Sequence, residues 1–186
     1  MKFKILDKCV IIAGFKNVNF SSVDDLLESI RKESKGQEHI QIFDAKLIAG
    51  PEHLYFATLN ALNAFKRGYN ISRNLAVEVL LFSSAQHQIS KAVNMMGIKQ
   101  DTTEVGVSII TDDDLSASVL LEKISRILNG ERDDTVLSIT KEKMKLIKKE
   151  FKISSLEIES ASRGPSEEDA LKNLIIERMA LLPARR

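Results

Sequence analysis

Three consecutive aspartates, Asp112–Asp114, are the residues of this sequence most directly suited to chemistry. They follow the apolar run 105–111, so a strand there would gather the carboxylates at its carboxyl end, where they could bind Mg²⁺. The same residues also suit the first turn of a helix, because carboxylates accept the free N–H groups and oppose the helix dipole. The helix cap is the favoured interpretation, and a metal-dependent enzyme acting on a small molecule is the alternative.

The cysteine and histidine residues do not form a recognisable catalytic set. Cys9 lies in an apolar stretch beside Val10, which is typical of a small buried side chain. His39, His53 and His87 fall in three different predicted elements and lack metal-ligand spacing. The glycine patterns that hold nucleotide phosphates are also absent from the sequence. We therefore predict that the protein is not an enzyme, with no catalytic residue, metal, cofactor or small-molecule substrate.

Basic residues are concentrated in one part of the chain, although the formal net charge is only +1. Residues 53–100 contain five lysines and arginines but a single acid, Glu78. A helix beginning at Ser72, beside Arg73, would bind an anion at its N-terminus, and Tyr69 offers a ring for base stacking. We interpret this region as a site for RNA phosphates and unpaired nucleotides; the alternative is solvated surface beside a helix C-terminus. The candidate RNA contacts are Lys66, Arg67, Asn70, Ser72, Arg73, His87, Gln88 and Lys91.

The last predicted helix carries a wide band of apolar side chains. It begins at Ser166, after a break at 164–165, and ends near Leu182. Part of the band must face the core, and a band wider than about 100° leaves apolar surface for a partner. The simpler alternative is a terminal helix that only docks on its own domain. The candidate partner contacts are Leu174, Ile175, Arg178, Met179 and Leu182.

The elements that position these residues follow from periodicity. Alternating apolar residues predict two short strands within 3–15 and one over 39–44, and the run 105–111 predicts a central strand covered on both faces. Helices are predicted from Ser21 or Ser22, over 52–66, from Ser72, over 86–96, from Asp112–Asp114, and from Thr140 to Phe151. This order favours an α+β fold, a two-layer arrangement with a mostly antiparallel sheet of four to five strands and several packed helices. A Rossmann order is the weaker alternative.

Length and composition limit the class of protein. The chain has 186 residues, of which 44% are hydrophobic, which is typical of a single globular domain. One cysteine excludes a disulfide framework within the chain and fits a reducing compartment. No apolar stretch reaches the roughly 18 residues of a membrane helix, and the charged residues 1–8 are unlike a signal peptide. We expect a cytoplasmic protein without a membrane partner.

Several segments, taken in order, are similar to one known family. They are residues 42–50, 52–54, 60–61, 70–75, 78–81, 84–92 and 177–182. On these residues the sequence resembles the small regulatory subunit of the KEOPS complex, the TPRKB family of kinase-binding proteins, in an archaeal form. The resemblance covers most of the chain, and it implies one domain of this kind over 1–186.

The resemblance also implies a function. It implies a non-catalytic subunit that binds the small KEOPS protein kinase/ATPase and supports threonylcarbamoyladenosine formation in tRNA. The basic region would then help to hold the 3′ CCA end of tRNA, and the last helix would contact the kinase. One departure is His87, where the family pattern suggests arginine and a fixed positive charge is lost at neutral pH. Another is the extended basic tail after Leu182.

Overall fold

The chain divides into two compact units. The computed structural model describes residues 1–34, 36, 38–161 and 166–185. The first unit consists of Met1–Ala45 and Gly97–Val136, and the second of Lys46–Met96 and Leu137–Arg186. The first contains the sheet and the second is helical. The single domain expected over 1–186 stays a prediction.

The sheet of the first unit is antiparallel throughout, as predicted. In the described part of the chain its strands are β1 (Lys2–Ile5), β2 (Lys8–Lys16), β3 (His39–Asp44), β4 (Val105–Thr111) and β5 (Glu131–Arg132). Their order is β1-β2-β4-β3, and β5 pairs with the end of β2. All residues of β4 are buried and β4 lies between two strands, which confirms its predicted central place. With the helices below, this confirms the α+β class.

Helices account for the rest of the regular structure. The α-helices in the described residues are α1 (Val23–Glu33), α2 (Pro51–Arg67), α3 (Leu75–Ser83), α4 (Ile89–Met96), α5 (Asp114–Leu128), α6 (Lys141–Glu150), α7 (Ser155–Ala161) and α8 (Glu167–Ala180). Apolar residues of α1 and α5 pack with alternate residues of β2, β3 and β4 in one core. Because side chains alternate along a strand, this core lies on one face of the sheet.

Most predicted helix starts are confirmed by their caps. The side chains of Ser22, Asp113, Thr140 and Ser166 each accept a backbone N–H in the first turn of a helix. The cap predicted at Ser72 is wrong: the N-cap of α3 lies two residues later, at Asn74, whose side chain accepts the N–H of Val77.

The other differences between the predicted elements and the structure concern short segments. The helix predicted over 86–96 begins only at Ile89, and α7 was not predicted. Residues 164 and 165 of the predicted break lie outside the described residues, as do Arg186 and the side chain of Arg185 in the basic tail.

Replacing Gly14 of β2 by alanine should destabilise the first unit. A Cβ atom there would lie 2.5 Å from the carbonyl oxygen of Asp133 and 2.7 Å from a methyl group of Val136. The backbone would have to move to make room for the Cβ atom. That movement would also disturb the hydrogen bond that the Gly14 N–H donates to Asp134 at 2.9 Å. We expect the free energy of unfolding to fall by about 1–3 kcal/mol, measured by urea denaturation. An unchanged unfolding curve would contradict this close approach.

Candidate functional site

The first group of candidate RNA contacts lies where α2 ends and α3 begins. We call Lys66, Arg67, Asn70, Ser72 and Arg73 the basic turn. Lys66 and Arg67 are exposed in the last turn of α2, and Arg73 is exposed just before α3. Gly68 ends α2 in the left-handed conformation, with φ of 72°, as its position after the helical pattern predicted.

The backbone of the basic turn is already hydrogen-bonded within the chain. The carboxylate of Glu78 accepts the N–H groups of Ile71 and Ser72. The Ser72 N–H is one of the groups that a helix start at Ser72 would have offered to a phosphate. Asn70 also donates its side-chain amide to the carbonyl of Ser72 at 2.9 Å, and Ser72 itself is buried. An anion at the basic turn would therefore contact side chains and not backbone N–H groups, above all the side chains of Lys66, Arg67 and Arg73.

The second group lies at the opposite end of α3. We call His87, Gln88 and Lys91 the α4 cluster; Gln88 and Lys91 are exposed, and Lys91 lies in the first turn of α4. Since α3 has nine residues, its length separates the two groups by about 13 Å. Nε2 of His87 is buried and has no hydrogen-bond partner within the described residues. The single patch predicted from sequence is thus two groups of residues.

His53 holds α2 against α3 in the core of the helical unit. Its ring is fully buried: Nδ1 accepts the N–H of Ala49 at 3.1 Å, and Nε2 donates to the carbonyl of Ser83 at 2.7 Å. Burial lowers the pKa of His53 from 6.5 to about 4. The residue is therefore a neutral structural histidine, not a ligand or an acid–base group at neutral pH.

The helical unit should lose stability on mild acidification because of His53. The unfolded chain binds a proton near pH 6.5, whereas native His53 does so only near pH 4. Between these values the unfolded state holds more protons, so stability falls as the pH drops through this window. We expect a loss of about 2 kcal/mol from pH 7.5 to 5, measured by urea unfolding. His53→Gln should remove that part of the pH dependence; an equal slope in the variant would contradict it.

A groove lined by both apolar and polar residues lies between α7 and α8. It has a volume of about 550 Å³, and we call it the α7–α8 groove. Leu156 of α7 is 72% exposed and Leu181, which follows α8, is 42% exposed, while Leu174 is half-buried. Its lining residues are Leu156, Glu157, Ser160, Ala161, Leu174, Glu177, Arg178 and Leu181.

The structure divides the predicted partner contacts on the last helix. Ile175, Met179 and Leu182 are 0%, 0% and 2% exposed, so they form part of the core of the helical unit. Leu174 and Arg178 line the α7–α8 groove. Sequence analysis missed Leu156 because it did not predict α7, although Ser154 followed three residues later by Glu157 is a capping-box pattern that signals a helix start.

Arg178 is tied to the neighbouring backbone. Its guanidinium donates to the carbonyls of Phe151 and Lys152, at the end of α6, and to the carboxylate of Glu157 at 2.9 Å. Hydrogen bonds lower the pKa of Glu157 to about 2. The largest contributions come from the N–H and hydroxyl of Ser154, followed by that of Arg178. Arg178 therefore fixes α8 against α6 and α7 and is only in part available to a partner.

The aspartate cluster is accounted for by internal contacts. Asp113 caps α5 by accepting the N–H groups of Leu115 and Ser116, which confirms the favoured interpretation. Asp112 and Asp114 pair with Lys8 and Lys2, respectively. Over the described ranges, no group of three or more His, Cys, Asp or Glu side chains is placed to hold a metal ion.

Cys9 belongs to the same cluster. It is buried, and its thiol donates to Asp114 at 2.7 Å. Burial and then this hydrogen bond raise the pKa of the thiol to about 11, so Cys9 stays protonated and weakly nucleophilic at neutral pH.

No helix in the described part of the chain is both long and apolar enough to cross a membrane.

Comparison with known proteins identifies the family. The family model "Kinase binding protein CGI-121" matches residues 15–183. The chain belongs to the CGI-121 family. One curated relative is "Regulatory protein Cgi121" of Methanocaldococcus jannaschii, which is 33% identical over 113 residues, 61% of this chain and 70% of that protein. The resemblance to an archaeal kinase-binding regulatory protein is thereby confirmed.

The family match covers all the candidate sites. The basic turn, the α4 cluster and the α7–α8 groove all lie within the residues matched to the CGI-121 family, 15–183. Lys2, Lys8 and Cys9, which accompany the aspartate cluster, precede the matched range. Asp112–Asp114 themselves lie inside the matched range, so the match does not distinguish the candidate binding surfaces from the aspartate cluster.

Proposed function

We propose that this chain is a non-catalytic regulatory subunit that binds the small protein kinase of a KEOPS complex through the α7–α8 groove. The exposed Leu156 and Leu181 carry this proposal, because the two leucines line the same groove and a partner that covered them would bury their apolar surface. The family description, a kinase-binding protein, names the class of partner. Residues 1–186 would act together as one functional unit of that complex.

A second surface would bind tRNA. The exposed side chains of Lys66, Arg67 and Arg73 support binding of phosphates, and the half-buried ring of Tyr69 supports stacking of an unpaired base. The unpaired 3′ CCA end is the ligand that fits such a site. The α4 cluster, about 13 Å away along α3, would contact the adjoining nucleotides. The subunit would then support threonylcarbamoyladenosine formation in the cytoplasm by holding tRNA, without acting on a small molecule.

Reconstitution with purified components tests both parts. The chain should co-elute with the KEOPS kinase, and it should bind intact tRNA more tightly than tRNA lacking the CCA end. Binding of tRNA should weaken steeply as salt is raised, because phosphate contacts release counterions. Failure to co-elute with the kinase would overturn the first part. Equal affinity for both tRNAs would overturn the CCA assignment, and no binding of either would leave a scaffold without RNA contact.

A further inference from the structure

Glu78 is a fully buried carboxylate that makes no ion pair with any described residue. Its Oε1 accepts the N–H of Ile71 at 3.1 Å, and its Oε2 accepts the N–H groups of Ile71 at 3.0 Å and Ser72 at 2.7 Å. A buried charge is strongly destabilising unless hydrogen bonds compensate it. Here, backbone N–H groups of the basic turn provide that compensation.

This arrangement is an anion site occupied by the chain itself. Two consecutive N–H groups, of Ile71 and Ser72, converge on one carboxylate, as they do around phosphate in backbone anion sites. Glu78 comes from the first turn of α3, so its side chain joins that helix to the turn before it. An RNA phosphate cannot use these N–H groups. Their effect on RNA binding must therefore act through the conformation of the turn.

The contacts around Glu78 fix the backbone on both sides of Arg73. Asn70 donates to the carbonyl of Ser72, and the hydroxyl of Ser72 accepts the N–H of Asn74 at 3.1 Å. Together with the bonds to Glu78, they hold the residues before and after Arg73. The side chain of Arg73 is exposed and forms no ion pair with the residues described. The charge of Arg73 is therefore held on an ordered backbone, so RNA binding would cost little conformational entropy at this turn.

We propose that Glu78 is a positioning residue for RNA binding, holding the turn so that Arg73 meets an RNA phosphate. This inference rests on the proposed binding of tRNA. It predicts an effect opposite in sign to simple electrostatics. Removing the negative charge of Glu78 would strengthen RNA binding if charge alone mattered, because like charges repel. Loss of positioning instead weakens it.

A double-mutant cycle tests this role. The variants are Glu78→Gln, Arg73→Ala and the combination, and the readouts are tRNA affinity and its salt dependence. Arg73→Ala should weaken binding about fivefold and lower the salt slope by about one. Glu78→Gln should have a similar effect, and the combination should be no weaker than either single variant. Additive losses, or stronger binding by Glu78→Gln, would overturn the proposal.

Matched controls separate positioning from charge and from folding. Glu168→Gln removes the same charge from an exposed glutamate of α8 and should not weaken tRNA binding. Kinase binding and the thermal unfolding midpoint show whether Glu78→Gln is folded. If it is not, Glu78→Asp, which keeps the charge but shortens the side chain, replaces it in the same cycle. If the unaltered chain binds no tRNA, the proposed function fails and this inference fails with it. If it binds tRNA but the cycle is additive, only the role of Glu78 fails.

Discussion

Replacing Leu156 and Leu181 together by aspartate is expected to weaken binding of the KEOPS kinase by about a hundredfold or more. Both side chains are exposed, at 72% and 42%, so the changes should affect folding little. In a complex, each aspartate would place a carboxylate in an apolar contact, where an unpaired charge is costly. Two contacts worth about 1.4 kcal/mol each would account for a hundredfold loss. Calorimetric titration of the kinase measures the dissociation constant.

Leu115 supplies the control for these variants. It is 75% exposed on α5, so Leu115→Asp makes the same chemical change at a site of similar exposure in the other unit. Kinase affinity should be unchanged in Leu115→Asp. The groove assignment would be contradicted if the double variant bound the kinase as tightly as the unaltered chain, or if Leu115→Asp weakened binding equally.

Reversing the charge of Lys66, Arg67 and Arg73 together is expected to weaken tRNA binding by about a hundredfold at moderate salt. Each of these side chains is exposed, and each lost phosphate contact removes a counterion-release contribution. The three glutamates would add repulsion. The measurement is fluorescence anisotropy with labelled tRNA over a range of salt concentrations, in which the salt slope should fall by about three.

The control for charge reversal uses an exposed lysine elsewhere in the same unit. Lys149→Glu on α6 changes the net charge of the chain as Arg73→Glu does, away from the basic turn. It should reduce tRNA affinity only slightly. Lys91→Glu tests the α4 cluster by itself and should give an intermediate loss. Equal losses from Lys149→Glu and Arg73→Glu would show that only the overall charge matters and would contradict a defined RNA site.

Features set by neighbours in sequence could be predicted. The helix caps at Ser22, Asp113, Thr140 and Ser166 depend on a side chain and an N–H group two or three residues apart, so the local pattern was sufficient. The central strand β4 could be predicted because its residues are apolar without alternation.

Features set by contacts across the fold could not be predicted. Ser72 and Asn74 are both good caps. In the structure Asn74 accepts the N–H of Val77, whereas the hydroxyl of Ser72 accepts the N–H of Asn74 and its own N–H is bound by Glu78, so the outcome depends on contacts that the local pattern does not show. The width of the apolar band on α8 indicated a partner surface, yet most of the band is buried in the unit's own core. Ile175 and Met179 are examples. The pattern gives the direction of apolar side chains but not the number of elements that cover them.

Amide hydrogen exchange of the chain, alone and with saturating kinase, distinguishes a kinase bound at the α7–α8 groove from one bound elsewhere. The kinase should slow exchange in Ser155–Ala161 and in the second half of α8, which border the groove. Exchange around the basic turn should slow only when tRNA is added. If the bound kinase left α7 and α8 unprotected and protected another surface, the groove would not be the kinase-binding site.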